Sequence, residues 1–222
     1  MHESESSRRE FIRGAVSIGV GAAIAPMLSE ASGSQEPKGS GYHWLNEPKQ
    51  WRREGSSLVC TADPKTDFWR KTFYGYITDN GHAYLRSVTG DFTTTVKING
   101  AFHDLYDQAG FMVRLDESNW MKCGIEIVDE VPHMSAVFTR DYSDWSSFSL
   151  GKHTGPLWLK VVRKGAALDI FHSLDGRTWI EDRTGYLTPA PAVDLGLMCA
   201  APEGKGFEVR FDDWEVTPGV AS

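Results

Sequence analysis

The chain has 222 residues, and 30 acidic against 23 basic residues give it a formal net charge of −7. A chain with a net negative charge and no block of Lys or Arg is poorly suited to binding phosphate groups. Neither a nucleic-acid partner nor an anionic membrane is therefore expected. Hydrophobic residues make up 41% of the sequence, enough for a packed core, and 8 Trp, 11 Phe, 7 Tyr and 22 Gly are typical of a β-sheet protein with tight turns.

The first residues resemble a targeting sequence. Arg8 and Arg9, with Phe11 and Arg13 after them, fit the twin-arginine export pattern, and a weakly apolar stretch rich in Gly and Ala follows. That stretch falls short of the roughly 20 apolar residues of a membrane-spanning helix, so no stable membrane span is expected after signal removal. Residues 1–31 therefore predict a twin-arginine signal peptide and a periplasmic or extracellular protein. The alternative is an amphipathic start that happens to contain two arginines.

Residues 32–41, which include Pro37, predict a flexible linker before one domain at residues 42–218. Within that domain no apolar stripe of helical period runs longer than two turns. Apolar and polar residues alternate instead, as in half-buried β-strands. Ten strands are predicted in this way: Ser57–Ala62, Ala83–Val88, Phe92–Ile98, Ala109–Leu115, Trp120–Val128, Met134–Arg140, Leu157–Arg163, Leu168–His172, Asp194–Cys199 and Phe207–Val216.

Turn sequences such as Asn80-Gly81 and Asp175-Gly176 separate these runs. About a dozen short strands without helices between them predict an all-β fold of two packed antiparallel sheets, a sandwich or jelly roll. No repeat of roughly 20–50 residues is visible, which argues against a propeller.

Two neighbouring strands can be aligned by their apolar faces. A hairpin around residues 116–118 keeps both apolar sets on one side, because a slip of one residue would expose the core face. The pairs on the other face are then Arg114–Trp120, Met112–Lys122, Gly110–Gly124 and Gln108–Glu126. The next strand is expected to add Ser135, Val137 and Thr139 beside Glu126, Gly124 and Lys122, with Asp141 beside Trp120.

This non-core face is expected to open to solvent as a trough with bare backbone in its middle, at Gly110 and Gly124. Glycine inside a strand often marks the close approach of another group. Lys122 and Glu126 lie about 13 Å apart along their strand, a span suited to bracketing a sugar-sized ring. The alternative is a solvated outer face with salt bridges, on which the glycines accommodate coiling of the sheet.

The same residues carry a family resemblance. The motifs are Asp67-Phe68-Trp69-Arg70-Lys71-Thr72, Asp79-Asn80-Gly81-His82, Tyr106-Asp107-Gln108-Ala109-Gly110, Arg114-Leu115-Asp116, Trp120-Met121-Lys122-Cys123-Gly124-Ile125-Glu126 and Thr139-Arg140-Asp141-Tyr142-Ser143-Asp144-Trp145. Over roughly residues 43–217 the chain resembles the regulation-of-enolase family of domains of unknown function, which is grouped with the concanavalin A-like lectins and glucanases. The resemblance implies a concanavalin A-like β-sandwich with a concave sheet, on which relatives bind or cleave carbohydrate.

Hydrolysis of glycosides normally needs two carboxyls, about 5–5.5 Å or about 6.5–9.5 Å apart. Glu126 is the only carboxylate firmly on the expected floor, because position 128 is Val and Asp129 faces the core side. Asp67, Asp107 and Asp144 are candidates to reach in from loops or strand ends. A single acid among basic and aromatic residues favours binding. The alternatives are a glycoside hydrolase or polysaccharide lyase that uses Glu126, and a non-catalytic protein-interaction domain.

The sequence thus predicts a carbohydrate-binding protein, with Glu126 as the candidate catalytic residue of the enzyme alternative. The candidate ligand-binding residues are Trp69, Arg70, His82, Gln108, Arg114, Trp120, Lys122, Thr139, Asp141 and Trp145. His and Asp residues never reach zinc or EF-hand spacing, so no metal and no cofactor are expected. The oligomeric state stays open.

Three cysteines, Cys60, Cys123 and Cys199, are too few for a disulfide scaffold, and no CxxC motif occurs. In an oxidising compartment Cys60 and Cys199 could form one disulfide.

Overall fold

The computed structural model describes residues 41–219, all of which lie in strands, turns and irregular segments. The predicted signal peptide and all but Gly41 of the predicted linker lie outside these residues. None of the described residues belongs to a helix long and apolar enough to span a membrane.

Sixteen strands occur in the described part of the chain. They are β1 (Tyr42–Leu45), β2 (Trp51–Glu54), β3 (Ser57–Ala62), β4 (Phe68–Arg70), β5 (Ile77–Asp79), β6 (His82–Thr89), β7 (Phe92–Gly100), β8 (Gln108–Arg114), β9 (Asn119–Val128), β10 (Val131–Arg140), β11 (Tyr142–Ser149), β12 (Leu157–Lys164), β13 (Ala167–Ser173), β14 (Ile180–Tyr186), β15 (Ala192–Ala200) and β16 (Phe207–Pro218).

Two seven-stranded antiparallel sheets and one short hairpin contain these strands. The first sheet has the order β1-β6-β15-β8-β9-β10-β11, and the second has the order β14-β13-β12-β7-β16-β3-β2. The hairpin pairs β4 with β5. The prediction of an all-β sandwich of two antiparallel sheets is therefore confirmed, and the architecture is that of the concanavalin A-like sandwiches.

The main core lies between the two sheets. Apolar side chains of the first sheet, such as Phe111, Met121 and Ile125, pack against those of the second, such as Leu159 and Phe211. The first three occupy the odd positions that the alternating pattern assigns to the core. Burying this face fixes the register of each strand, because a one-residue slip would turn its apolar set outward.

A second apolar cluster lies on the outer face of the first sheet. Residues 64–80, the covering segment, cross this face and carry the β4–β5 hairpin. Phe68 and Trp69 from this segment pack on side chains of the sheet. The buried members of the cluster are Phe68, Trp69, Ala83, Leu85, Met112, Trp120, Val137 and Met198. The first sheet is thus packed on both of its faces over this region.

Candidate functional site

The register of β8 against β9 matches the sequence prediction. Gln108 lies opposite Glu126, Gly110 opposite Gly124, Met112 opposite Lys122 and Arg114 opposite Trp120. These four pairs form the central rows of the outer face. The alternation of apolar residues was sufficient to fix them.

The register of β10 differs from the prediction by two residues. Ser135 lies opposite Gly124, Val137 opposite Lys122 and Thr139 opposite Trp120. The reason is the turn after β9, where Asp129 and Glu130 both have positive φ, at 49° and 62°. Such a two-residue turn makes Val128 and Val131 the closing pair of the hairpin, and the turn then dictates all later pairs. His133, rather than Ser135, is the partner of Glu126.

The expectation that this face opens to solvent is wrong. Gln108 and Lys122 are each 4% exposed and Glu126 is 2% exposed. The covering segment buries one end of the face under Phe68 and Trp69, and at the other end Trp145 of β11 lies against Glu126. The ring of Phe68 lies 6.1 Å from that of Trp120, which is 1% exposed.

Ion pairs fasten the covering segment to the sheet. Lys122 Nζ donates to Asp67 Oδ1 at 3.0 Å, and both side chains are nearly buried. Arg114 donates to both carboxylate oxygens of Asp79, at 2.8 and 2.7 Å. Two residues predicted to bind ligand from the sheet are therefore engaged in holding the segment that covers it.

A third ionic contact joins the segment to the start of β11. Arg70 Nε donates to Asp141 at 3.0 Å, and Lys71 Nζ donates to both oxygens of the same carboxylate. The Lys71 ammonium, and then the Arg70 guanidinium, hold the pKa of Asp141 below its ordinary value. Asp141 has φ of 61° in the tight β10–β11 turn and does not lie beside Trp120.

Three more candidate residues have structural contacts. The imidazole of His82 is 3% exposed and hydrogen-bonds to backbone at both nitrogens, Nδ1 to Asn46 O and Nε2 to the N–H of Asp63. The indole of Trp69 donates to Thr72 O. Thr139, which is fully buried, shares a hydroxyl hydrogen bond with Ser143 at 2.8 Å.

A small pocket remains beyond the edge of the covering segment. It measures about 190 Å³, open solvent at its mouth included. Its lining residues are Gln108, Ala109, Lys122, Cys123, Gly124, Ile125, Glu126, Ser135 and Met198. We call it the glycine-floored pocket, because Gly124 exposes bare backbone between the side chains of Lys122 and Glu126.

Glycine is required at this floor for steric reasons. A Cβ on Gly110 would overlap the carbonyl oxygen of Cys123 and lie 2.8 Å from Gly124 Cα. A Cβ on Gly124 would overlap the carbonyl oxygen of Ala109, and φ at Gly124 is +153°, which L side chains rarely adopt. The two strands approach each other through these glycines, and no side chain can fill the space above them.

Hydrogen-bonding groups surround the pocket. Trp145 Nε1 donates both to Glu126 Oε2 at 3.0 Å and to Ser135 Oγ at 2.9 Å. On the other side, Gln108 Nε2 donates to Asp67 Oδ1 at 3.2 Å, the same oxygen that accepts from Lys122. A carboxylate, an amide, a hydroxyl and an ammonium thus converge on one small space, each already oriented by a neighbour.

Four of the eleven candidate residues come together here: Gln108, Lys122, Glu126 and Trp145. Of the other seven, five secure the covering segment or pack beneath it (Trp69, Arg70, Arg114, Trp120 and Asp141). Thr139 bonds to Ser143, and His82 bonds to the backbone of Asn46 and Asp63. Ser135 and Met198 line the pocket but are absent from the candidate set, and Asp67, predicted only as an acid that could reach in from a loop, lies at its rim. Asp67 begins the first motif string and alternation places Ser135 on the outer face, whereas nothing in the alternation pattern distinguishes Met198.

Asp107, next to Gln108, is buried and serves the adjoining loop. Its Oδ2 accepts from the N–H groups of His103 and Asp104. Burial raises the pKa of its carboxyl. Among residues 41–219 no group of three or more His, Cys, Asp or Glu side chains is arranged to hold a metal ion.

The comparisons with known proteins agree with the motif strings. Residues 44–219 match the family described as Protein of unknown function (DUF1349). The chain belongs to this family. A Saccharomyces cerevisiae member named Regulation of enolase protein 1 is 42% identical over 178 residues, which cover 78% of this chain and 88% of that protein.

Solved structures give the same fold. The crystal structure of a functionally unknown protein from Saccharomyces cerevisiae has a TM-score of 0.79 at 38% identity, over 82% of this chain and 98% of that one. A mutant of the GH43 protein BlXynB from Bacillus licheniformis has a TM-score of 0.64 at 18% identity, over 85% of this chain and 38% of that one. The sandwich therefore resembles part of a glycoside hydrolase, and at that identity the likeness concerns the fold alone.

The predicted periplasmic or extracellular location is wrong on these comparisons. The two proteins that are 42% and 38% identical to this chain come from Saccharomyces cerevisiae, a eukaryote that has neither a twin-arginine route nor a periplasm. One of them is named for the regulation of enolase.

Proposed function

We propose that this protein binds carbohydrate in the glycine-floored pocket. The observation that carries the proposal is the convergence of Glu126, Gln108 and Ser135 on bare backbone at Gly124. Sugar hydroxyls act as both donors and acceptors, and a carboxylate, an amide and a hydroxyl offer complementary partners at short range. The fold resembles that of glycoside hydrolase domains, which agrees with a carbohydrate ligand without identifying one.

The small size of the pocket excludes a ligand that lies extended over the sheet. Its volume of about 190 Å³ includes open solvent at the mouth, so the enclosed space is smaller still. The covering segment closes the face on the Trp120 side, so a polysaccharide cannot lie along the whole sheet. We therefore expect recognition of a terminal sugar that enters end-on, with the rest of the glycan in solvent.

The test is binding of the labelled full-length chain to a glycan array, followed by calorimetry on the glycans it captures. The variant Glu126→Gln keeps the shape of the side chain but removes its charge. We expect binding to weaken by about 10- to 100-fold, because a hydrogen bond to a charged group contributes roughly 1.5–3 kcal/mol. The matched control is Glu54→Gln, which changes an exposed carboxylate on the second sheet.

Two results would contradict the proposal. One is that the wild-type chain captures no glycan, in which case a protein-interaction role becomes the better account of the family. The other is that Glu126→Gln and Glu54→Gln bind equally well. Circular dichroism and thermal melting of both variants separate a binding defect from unfolding.

A specific observation also favours the enzyme alternative. Asp67 is a second carboxylate at this site, held on its side of the pocket by Lys122 and Gln108. Gln108 lies directly opposite Glu126 in the register, so the two acids flank one glutamine. A pair of carboxylates on either side of the bound sugar is the arrangement that glycoside hydrolysis uses.

Release of reducing ends from a panel of polysaccharides tests this alternative. We expect Asp67→Asn and Glu126→Gln each to abolish release. The control is Asp144→Asn, because the exposed carboxylate of Asp144 on β11 binds Arg183 and does not line the pocket. If wild-type protein binds a glycan but releases no product from it, the protein is a binding module and the hydrolase alternative is wrong.

A further inference from the structure

Two buried cysteines meet between the sheets. Cys60 lies on β3 of the second sheet and Cys199 on β15 of the first, and their Sγ atoms are 3.6 Å apart. They are 2% and 0% exposed, and both are members of the main core. All three cysteines are free thiols in the structure, including the buried Cys123 on β9.

The backbone draws the sheets together at this end of the sandwich. Pro64 and Ala201, which follow the two cysteines in sequence, form a parallel bridge, and the N–H of Lys65 donates to Ala201 O at 2.9 Å. Thr66 Oγ1 accepts from the N–H of Ala201. These contacts cross between the segments that leave β3 and β15, so the short distance between the sulfurs is built into the fold.

We propose that Cys60 and Cys199 are a site of oxidative modification, at which the two thiols form a disulfide that links the two sheets. A disulfide requires sulfurs about 2.0 Å apart, so the pair must close by roughly 1.6 Å. Small rotations of the two side chains can supply that movement. Cys123 takes no part and keeps its thiol.

The reaction is a thiol–disulfide exchange with a small disulfide such as oxidised glutathione. One cysteine thiolate attacks the glutathione disulfide, forms a mixed disulfide and expels one reduced glutathione. The second cysteine then attacks the mixed disulfide and expels the other. The two cysteines lose two protons and two electrons in total, and one oxidised glutathione becomes two reduced molecules.

Burial determines when this reaction takes place. The hydrogen bond with Cys60, together with burial, raises the pKa of Cys199 well above its ordinary value. Exchange needs a thiolate and access to it, so the thiols of the closed sandwich are slow to react. The bond therefore forms while the strands fold or open, and the closed fold then protects it from reductants.

The experiment uses the full chain in two series. In the first, reduced protein is unfolded in urea and refolded either with oxidised and reduced glutathione or with reductant alone. In the second, the same glutathione mixture is added to folded protein at increasing urea, so that partial opening suffices and no refolding is needed. Free thiols are counted by alkylation under denaturing conditions, and peptide mapping identifies the bonded pair.

We expect the oxidised samples to keep one free thiol of the three in the sequence. The mapped bond joins Cys60 to Cys199, and the melting temperature of the oxidised protein is higher because the bond restricts the unfolded chain. The variant Cys123→Ala should form the same bond and retain no free thiol, whereas Cys60→Ala should melt at the same temperature with and without glutathione. Three free thiols in both series, or a bond that includes Cys123, would overturn the proposal.

Discussion

Single glycines decide whether the floor of the pocket can form. We predict that Gly110→Ala lowers the free energy of unfolding by about 3 kcal/mol or more, because the added Cβ overlaps the backbone of Cys123 and no rotamer change can relieve it. Urea unfolding followed by tryptophan fluorescence measures the change.

The control for this substitution is Gly155→Ala. Gly155 is exposed, and a Cβ there would lie 3.2 Å from Cε1 of His153, a side chain that can move. We expect its stability to stay close to that of wild type. Equal effects at both positions would show that the close approach of β8 and β9 at the glycine pair is not a requirement of the fold.

The turn at Asp175 makes the stability of the fold fall as the pH is lowered. Asp175 Oδ1 accepts from the N–H groups of Thr178 and Arg177 and from Ser173 Oγ, and these hydrogen bonds depress the pKa of its carboxyl. A depressed carboxyl pKa contributes stability that is present above about pH 4 and is lost as the pH falls below it. We predict that Asp175→Asn melts at a lower temperature than wild type at pH 7, with a difference that shrinks on acidification. A difference that is independent of pH would contradict this.

The β4–β5 hairpin illustrates how ion pairs position an element. Arg114, with its side chain 10% exposed, binds both oxygens of Asp79 at the end of β5. We predict that Arg114→Met costs about 3 kcal/mol, because it leaves the Asp79 carboxylate against the sheet without its partner. Hydrogen exchange should accelerate at the amides of Phe68–Arg70 and Ile77–Asp79.

The matched control is Arg52→Met on the second sheet. Arg52 binds Glu54 and Glu208, but its side chain is 47% exposed, and exposed ion pairs contribute little. The Arg52→Met variant should keep the stability of the wild type and the wild-type hydrogen-exchange rates in the β4–β5 hairpin. If Arg114→Met also leaves the hairpin protected, the apolar packing of Phe68 and Trp69 holds the segment without the ion pair.

The predictability of each element follows from its packing. All ten strands predicted from alternation are present within a few residues, because each buries one face in the main core. Edge strands such as β11 and β14 were not predicted, because their side chains are partly exposed on both faces and form no regular apolar face. The β4–β5 hairpin was not predicted either, because strands of three residues are too short to show an alternating pattern. No local sequence pattern predicts that Asp67 binds Lys122, because the two residues are 55 positions apart in the chain.

At the scale of the whole sandwich, a buried acid lies between the layers. Asp182 on β14 accepts from His172 Nδ1 at 2.6 Å, and its Oδ2 is buried without a hydrogen-bond partner among the described residues. Its titratable neighbours are His172, Glu181 and Cys123. Burial raises the pKa of Asp182, against the opposing hydrogen bond from His172.

A raised carboxyl pKa gives a pH dependence opposite in sign to that of Asp175. The folded state holds the proton more tightly, so this stability is present at low pH and is lost as the pH rises through the folded-state pKa. We predict that Asp182→Asn melts at a higher temperature than wild type at pH 7 and that the advantage disappears near pH 4, the ordinary range of an aspartate. Thermal melts across this range measure it, and a variant less stable at every pH would refute it.

The covering segment determines how deep the pocket is, and it belongs neither to the sheet beneath it nor to the core between the layers. Its length and its two anchoring carboxylates, Asp67 and Asp79, can change while the sandwich keeps its strand order. Substitutions within residues 64–80 can therefore change the depth and the lining of the pocket without altering the strand order of the two sheets.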